Sequence, residues 1–314
     1  METGCITDRL AWAWVALVAA TVPLAFSAGM HPAAAQTAPA VVNAIGVENE
    51  YADVLSQIGG KFVKVTTIES DPNTDPHEFE GNPDIAKQLA GADLVVENGI
   101  GYDTWADNMM GANPKKDRKV INVQALLKAP DTTPNPHFWF DPKTMPMVAA
   151  AIAAELSARM PAQAATFEEN LKTFNDSLKP WTEAIAQFKK EFGGTPVATT
   201  EPVADYLLQA AGAKILTPFS LEKAIMDGTD PSPQDVTAEN NLFRNHRVKV
   251  FVYNQQVTDP LTDSFLQLAK KSGIPVVGVY ETMPVPGYNY QSWMIAEIKA
   301  LHEAVAHKKS QEKL

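Results

Sequence analysis

Residues 41–68 read VVNAIGVENEYADVLSQIGGKFVKVTTI, and this stretch contains the pattern that decides the fold. The β-rich run VVNAIGV over 41–47 predicts a strand. The segment NEYADVLSQIGG predicts a helix that ends at Gly59 and Gly60. KFVKVTTI over 61–68 predicts a second strand. Strand, helix and strand in this order are typical of an α/β protein with mainly parallel strands.

The same alternation continues along the chain, with one long interruption. Residues 161–192 have apolar positions at helical spacing and no strand-like run, so they predict one long connecting helix, broken near Pro180. We therefore expect an α/β fold of two similar lobes, each with a mainly parallel sheet flanked by helices. The N-terminal lobe spans 36–160 and the C-terminal lobe spans 193–314. Residues 217–235, rich in Pro, Ser and Asp, are expected to be irregular.

The first 35 residues differ in composition from the rest of the chain. Leu10 to Ser27 is an almost unbroken apolar run, followed by small residues up to Ala35. This pattern predicts a signal peptide over 1–35, cleaved between Ala35 and Gln36. An uncleaved membrane anchor is the alternative, and Pro23 inside the run argues against it.

Charge and cysteine content exclude several classes of protein. The 37 acidic and 26 basic residues give a net charge of -11, which argues against binding to nucleic acid or to anionic lipid. The only cysteine, Cys5, precedes the apolar run, so it is not placed for lipid modification after that run. Once the signal is removed, disulfides, thiolate metal sites and cysteine nucleophiles are all excluded. The chain is therefore expected to be an exported protein.

Two loops place a histidine directly after a proline. Residues 75–80 read DPHEFE and residues 135–142 read NPHFWFDP, which use two of the six histidines of the chain, His77 and His137. A preceding proline restricts the loop, so that less conformational entropy is lost when the histidine is held in place. These loops are therefore suited to presenting ligands.

Four possible metal ligands follow the ends of predicted strands, two in each half: His77, His137, Glu201 and Glu281. Molecules and ions that bind to a parallel α/β sheet lie beyond the carboxyl ends of its strands, and in a two-lobed protein those ends face the cleft. Two imidazoles and two carboxylates suit zinc or manganese. A metal site in the interlobe cleft is therefore one interpretation.

Each of these residues also has a simpler interpretation. His77 and His137 are compatible with hydrogen-bonded surface or packing positions. Glu201 is compatible with a first-turn carboxylate of a helix that starts at Pro202, and Glu281 with a loop carboxylate that caps a neighbour. Three other histidines are interpreted as surface residues: His246, His302 and His307.

The chain resembles the substrate-binding components of zinc and manganese ABC uptake transporters. Over nearly all of the chain after the signal, the resemblance is carried by VVNAIGVENEYADVLSQIGG, NTDPHEFE, IAKQLAGADLVVENGIGYDTWAD, NPHFWFDP and IPVVGVYETMP. It implies two lobes with one long helix as the hinge. It also implies capture of a divalent metal ion and its delivery to an ABC permease with its ATPase. The family's ligands fall on His77, His137, Glu201 and Glu281.

Three features of the sequence bear on which metal ion is expected and how it is coordinated. Two of them depart from the family pattern, and the third is the residue type at position 201. The fourth ligand is usually an aspartate, whereas Glu281 is one methylene longer. Residues 106–136 contain no histidine, although many zinc binders have a histidine-rich loop there. Glu201 stands where many manganese binders have glutamate and many zinc binders have histidine. The longer Glu281 side chain bears on the coordination geometry. The missing histidine-rich loop and Glu201 tilt the expected ion from zinc toward manganese or iron, although zinc binds a given nitrogen and oxygen site more tightly than manganese.

Two functions from other classes are alternatives to transport. One is a metal-dependent hydrolase, in which the metal would activate water. The chain has no H-E-x-x-H motif and no nucleophile elbow, so we expect no enzyme activity. The other is a metal-binding surface adhesin. The expected protein is a periplasmic monomer that does not bind nucleic acid.

Overall fold

A computed structural model describes residues 41–314 of the chain, and within this range two parallel sheets dominate. The first sheet has the strand order β2-β1-β3-β4. Its strands are β1 (Val42–Glu48), β2 (Val63–Glu69), β3 (Leu94–Glu97) and β4 (Lys119–Asn122). All three strand pairs are parallel, which requires a crossover connection between successive strands.

The second sheet repeats this arrangement, with the order β6-β5-β7-β8. Its strands are β5 (Pro196–Thr199), β6 (Lys214–Ile215), β7 (Val250–Asn254) and β8 (Val276–Val279). Its pairs are parallel as well. The predicted α/β class, with two similar lobes built on parallel sheets, is therefore confirmed.

Twelve helices connect and flank the strands in the described part of the chain. The first five are α1 (Asn49–Gly59), α2 (Pro83–Gly91), α3 (Thr104–Ala112), α4 (Val123–Leu127) and α5 (Thr144–Arg159). The connecting segment contains α6 (Ala164–Ser177) and α7 (Lys179–Phe192). The last five are α8 (Asp205–Ala210), α9 (Phe219–Met226), α10 (Pro233–Arg244), α11 (Pro260–Lys271) and α12 (Tyr290–His307).

The opening strand lies at the centre of its sheet and is pressed against the helix that follows it. Strand β1 is buried at six of its seven positions. A Cβ atom built on Gly46 would lie 2.2 Å from the backbone nitrogen of Ala52 in α1. Only glycine allows strand and helix backbones to approach this closely.

The connecting segment is broken where Pro180 predicts a break. Helix α6 ends at Ser177, and α7 begins at Lys179 with Pro180 in its first turn. Proline lacks a backbone N–H and is tolerated there because the first N–H groups of a helix have no intrahelical partner. The result is one long segment bent near residue 178.

Three short elements differ from the sequence-based expectation. Residues 217–235 were expected to be irregular but contain α9, whose buried face includes Leu221 and Ile225. Helix α4 and strand β6 were not predicted, because five and two residues are too short for a periodic pattern.

One hydrophobic core joins the two halves of the described chain. The ring of Phe140, in the first half, packs edge-on against Trp293 of α12 at 5.4 Å between centroids. Tyr290 packs against Trp181 of α7, and its hydroxyl donates a hydrogen bond of 2.6 Å to the carbonyl of Trp139. The last helix therefore holds the connecting segment and the first lobe together.

The predicted signal peptide and its cleavage point lie outside the described residues. Among residues 41–314, the structure contains no helix with the length and apolar character needed to cross a bilayer.

Replacing Gly46 with alanine tests the close packing of β1 against α1. We expect Gly46→Ala to lower the free energy of unfolding by about 1–3 kcal/mol, because the added methyl meets backbone atoms that cannot move aside easily. Urea denaturation followed by circular dichroism measures this. Gly91→Ala is the control, since within residues 41–314 the added methyl would meet no heavy atom closer than 4 Å beyond its chain neighbours and its own helix backbone. Equal stability of the two variants would contradict this account.

Candidate metal centre

The candidate site lies where the carboxyl ends of the two parallel sheets face each other. The loop after β2 carries His77, and the loop after β8 carries Glu281. Glu201 follows the end of β5 by two residues. His137 directly precedes a short 3-10 helix at Phe138–Phe140. Side chains from both halves of the chain therefore reach one position.

His77 is held by its own loop. It lies in a 3-10 turn over Pro76–Glu78, and the carboxylate of Asp75 accepts a hydrogen bond of 2.8 Å from the His77 backbone N–H. The side chain of His77 is 19% exposed, whereas those of His137 and Glu281 are fully buried. The DPHEFE motif therefore forms a short turn that presents one imidazole at the edge of the site.

His137 is held more tightly, by Asn135 of the same motif. The Asn135 Oδ1 atom lies 2.9 Å from the His137 backbone nitrogen and 2.8 Å from Nδ1. Since Oδ1 is an acceptor, Nδ1 carries a proton and Nε2 is the nitrogen available to a metal ion. The Asn135 amide nitrogen in turn donates to the carbonyl of Pro202 in the second half, at 2.7 Å.

Glu281 brings the two imidazoles together. Its Oε2 atom lies 2.9 Å from Nε2 of His137 and 3.2 Å from Nε2 of His77. The hydroxyl of Tyr102 also donates to Oε2, at 3.1 Å. Possible ligand atoms of the three residues all lie within 4.8 Å of one another. Two imidazoles of the first half thus converge on one carboxylate oxygen of the second half.

Glu201 lies beside this group and is not a member of it. Its Oε1 accepts a hydrogen bond of 3.1 Å from the amide nitrogen of Asn254. The same nitrogen donates to Oε1 of Glu281 at 2.7 Å. The Glu201 side chain is buried, and within the described part of the chain its Oε2 atom has no hydrogen-bond partner. One carboxylate oxygen therefore remains without a donor next to the imidazole group.

The two glutamates have opposite pKa shifts. Burial acts to raise the pKa of Glu281, but the imidazoles of His77 and His137 outweigh burial and hold this pKa well below its usual value. Burial and the neighbouring Glu281 charge both raise the pKa of Glu201 well above its usual value. In the absence of metal, Glu281 is therefore ionised and Glu201 tends to keep a proton.

The pKa values of the two histidines, His77 and His137, also shift in opposite directions. Burial lowers the pKa of His137, and this effect exceeds that of Glu281. Burial acts in the same direction on His77, but Glu281, Asp75 and Asp227 together raise its pKa above the usual 6.5. The proton shared with the Glu281 carboxylate is therefore held mainly by His77.

Aromatic rings form one wall of the site. The ring of Tyr102 lies 4.9 Å from that of His77 and 5.3 Å from that of Trp139, between centroids. Trp139 packs edge-on against His137, also at 5.3 Å. These rings exclude water and lower the local dielectric constant, which strengthens charge interactions at the site.

The three remaining histidines of the described chain lie elsewhere. His246 and His307 are exposed. His302 is partly buried in α12, where it packs against Phe192 and lies 3.5 Å from a carboxylate oxygen of Glu191.

Sequence reasoning missed the residues that hydrogen-bond to the candidate ligands or to their backbone: Tyr102, Asn135, Asn254 and Gln256. Gln256 accepts hydrogen bonds from the backbone N–H groups of Glu281 and Thr282, and donates one to the carbonyl of Thr74. Asn135 was within reach of prediction, because asparagine two positions before a loop residue often bonds to that residue's backbone. The others have partners far away in the sequence and leave no local pattern.

The chemistry of the group suits a borderline divalent ion. Two imidazole nitrogens and a carboxylate oxygen are available, with a second carboxylate alongside. Zinc accepts this donor set readily, and manganese accepts it with additional oxygen ligands.

Comparisons with known proteins agree with this chemistry. A model of the family described as zinc-uptake complex component A, periplasmic, matches residues 48–304. The manganese-binding lipoprotein MntA of Bacillus subtilis (strain 168) is 23% identical over 239 residues, which are 72% of this chain and 74% of that protein. The manganese ABC transporter substrate-binding lipoprotein scaA of Streptococcus gordonii is 25% identical over 289 residues, covering 84% and 89%.

The fold has solved counterparts as well. The structure of the SBP FpvC from Pseudomonas aeruginosa in complex with Mn2+ matches with a TM-score of 0.69 and 20% sequence identity. The match covers 86% of this chain and 99% of that chain. At this identity the likeness concerns the fold.

Asn135 offers a test of how His137 is oriented. We expect Asn135→Ala to weaken zinc binding by about 10- to 100-fold, the usual effect of losing a residue that orients a metal-binding histidine. Competition with a fluorescent chelator measures the affinity. Asn135→Asp is the comparison variant: it keeps the acceptor for Nδ1 but loses the amide donor to the Pro202 carbonyl, so it should lose less affinity than Asn135→Ala. Equal losses in both variants would show that orientation through Nδ1 is unimportant.

Proposed function

Because the chain belongs to the family of zinc-uptake complex component A, periplasmic, we propose that it captures a divalent transition metal ion and delivers it to an ABC-type permease. The proposed ligands are His77, His137, Glu201 and Glu281. The observation that carries the proposal is the approach of Glu281 Oε2 to both imidazole nitrogens, at 2.9 and 3.2 Å.

The geometry supports capture by closure of the two halves. Both imidazoles belong to the first half and both carboxylates to the second, so an ion bound to all of them holds the halves together. Hydrogen bonds outside the group of candidate ligands also join the two halves. Asn49 exchanges two hydrogen bonds with the backbone of Met283, and Gln256 bonds to Thr74. Metal binding then stabilises the closed form by its differential affinity for that form.

Delivery requires a partner that distinguishes the closed, loaded form. In this proposal the permease, with its ATPase, recognises the closed shape and receives the ion. The chain acts as a monomer in the periplasm after removal of the predicted signal peptide. Relatives described as lipoproteins support an exported location, although Cys5 of this chain precedes the apolar run.

The transported ion is zinc or manganese, with iron as a third candidate. The family description names zinc, whereas the two relatives compared above are named for manganese. The carboxylate of Glu201, in place of a third imidazole, favours a harder ion than an all-histidine site would. Zinc nevertheless gains the most from any nitrogen-containing site, because affinity increases from manganese to zinc.

Burial of the site favours a binding protein over a hydrolase. His137, Glu201 and Glu281 are each at most 3% exposed. A cavity of about 360 Å³ reaches the site from the side of His77, and its lining includes Tyr102 and Asp227. An ion can approach His77 by this route. A hydrolase would also have to bring a substrate bond beside the metal, where the Tyr102 and Trp139 rings are packed.

Loss of either imidazole tests the function. We expect His77→Ala and His137→Ala to lose most of the thermal stabilisation that zinc or manganese gives the original protein, because each variant loses a ligand of the first half. Differential scanning calorimetry with and without each metal measures the shift.

The exposed residue His307, at the end of α12, provides the control. His307→Ala should keep the full metal-induced shift in melting temperature. If both His77→Ala and His137→Ala also kept it, the ion would bind elsewhere and the proposed ligands would be wrong.

The pH dependence of metal binding follows from the pKa of His77. Burial lowers this pKa, but Glu281 and the other carboxylates raise it above 6.5, and a metal ion needs the neutral imidazole. As the pH is lowered, protons therefore compete with the ion for His77. Because the pKa of His77 is above 6.5, the loss of affinity should already begin at a pH higher than 6.5. Glu281 stays ionised over this range because its pKa is held low.

Isothermal titration with zinc from about pH 8 to about pH 5.5 measures this dependence, with one to two protons released per ion bound. An affinity that stays constant over the range would contradict the assignment of His77 as a ligand.

A further inference from the structure

We infer that Asn254 is a positioning residue that leaves each of Glu201 and Glu281 one oxygen for the metal ion and thereby favours a four-coordinate site. This inference rests on the proposed function. The carboxamide nitrogen of Asn254 bonds to Oε1 of both glutamates.

The Asn254 side chain has a single orientation. Its residue is 1% exposed, and its Oδ1 accepts a hydrogen bond of 3.0 Å from the backbone N–H of Gln256. Its own backbone N–H donates to the Thr200 hydroxyl at 2.9 Å. A flipped amide would place Oδ1 against two carboxylates and leave the Gln256 N–H facing an amide donor. The donor end therefore points to the glutamates.

Both hydrogens of this amide are in use. One is directed to Glu281 at 2.7 Å and the other to Glu201 at 3.1 Å. The Asn254 amide thus separates two buried carboxylates that would otherwise repel each other without a donor between them. On each glutamate, Oε1 is the oxygen that accepts the hydrogen bond from Asn254.

The sheet fixes this arrangement. Strand β7 lies between β5 and β8, and Asn254 is its last residue. Glu201 is two residues beyond the end of β5, and Glu281 is two residues beyond the end of β8. Since adjacent parallel strands are about 4.8 Å apart, a central side chain reaches both neighbours. The position of Asn254 is therefore set by strand order.

On each glutamate the second oxygen, Oε2, is not bonded to Asn254. Oε2 of Glu281 faces the two imidazoles, and Oε2 of Glu201 has no hydrogen-bond partner among residues 41–314. While Asn254 holds both Oε1 atoms, each glutamate can offer one oxygen, and two nitrogens plus two oxygens give four ligands. Bidentate binding by either glutamate would require it to give up the Asn254 bond.

Coordination number bears directly on ion choice. Zinc sites of this kind are tetrahedral, whereas manganese is typically bound by six ligands. Asn254 therefore favours zinc relative to manganese, in opposition to the effect of the Glu201 carboxylate.

The first test uses the unaltered protein. X-ray absorption of the zinc-loaded chain should show four nitrogen and oxygen neighbours at about 2.0–2.2 Å. Five or six neighbours would overturn the inference even though the protein binds zinc. Failure of the protein to bind zinc at all would instead overturn the proposed function.

The second test removes the donor. In Asn254→Ala both glutamates are free to bind through two oxygens, so the intense visible absorption of four-coordinate Co2+ should weaken. Zinc affinity should fall by about 10- to 100-fold, and the ratio of zinc to manganese affinity should fall by about tenfold. Circular dichroism checks that the variant is folded. If it is unfolded, Asn254→Ser, which keeps one donor, should show an intermediate absorption change.

Asn49→Ala is the matched control. Asn49 is also a buried asparagine that bonds across the halves, but its partner is the backbone of Met283, two residues after Glu281. This variant should keep the Co2+ absorption and the affinity ratio. If Asn254→Ala kept both as well, or if the two variants changed them equally, the inference would be wrong.

Discussion

A single carboxylate oxygen, Oε2 of Glu281, is the point on which the two halves of the protein converge. A buried carboxylate without partners is strongly unfavourable, and this one lies against two imidazoles and accepts a hydrogen bond from a tyrosine hydroxyl of the other half. The closed arrangement and the low pKa of Glu281 are therefore two consequences of the same contact. Any ion that binds here replaces a proton in an interaction that already exists.

The fold supplies this convergence by repetition. The two sheets have equivalent strand orders, and in each of them loops beyond the carboxyl ends carry the polar residues. The short turns around His77 and His137 then place imidazoles from one sheet opposite carboxylates from the other. Hydrogen bonds from the backbone N–H groups of His77 and His137 to the side-chain oxygens of Asp75 and Asn135 fix these turns before any ligand arrives. Much of the conformational entropy that must be lost to order the site is thus lost on folding and not on ion binding.

The sequence was informative where a pattern is local. The β1-α1-β2 unit, the break at Pro180 and the two Pro-His loops were all predictable, because periodicity and proline act on neighbouring residues. Helix α9 was missed, since the Pro, Ser and Asp content of 217–235 outweighed the short apolar pattern of FSLEKAIM. Asn254 was missed for a different reason. Its partners lie on two other strand ends, and only the strand order brings the three residues together.

The unequal exposure of the proposed ligands has a kinetic consequence. His77 is 19% exposed, while His137 and Glu281 are fully enclosed. Bonds to a bound ion are broken one at a time, and solvent or a competing chelator reaches the His77 side first. Release of a bound ion is therefore expected to begin at the DPHEFE turn. Equilibrium affinity, by contrast, depends on all the proposed ligands together.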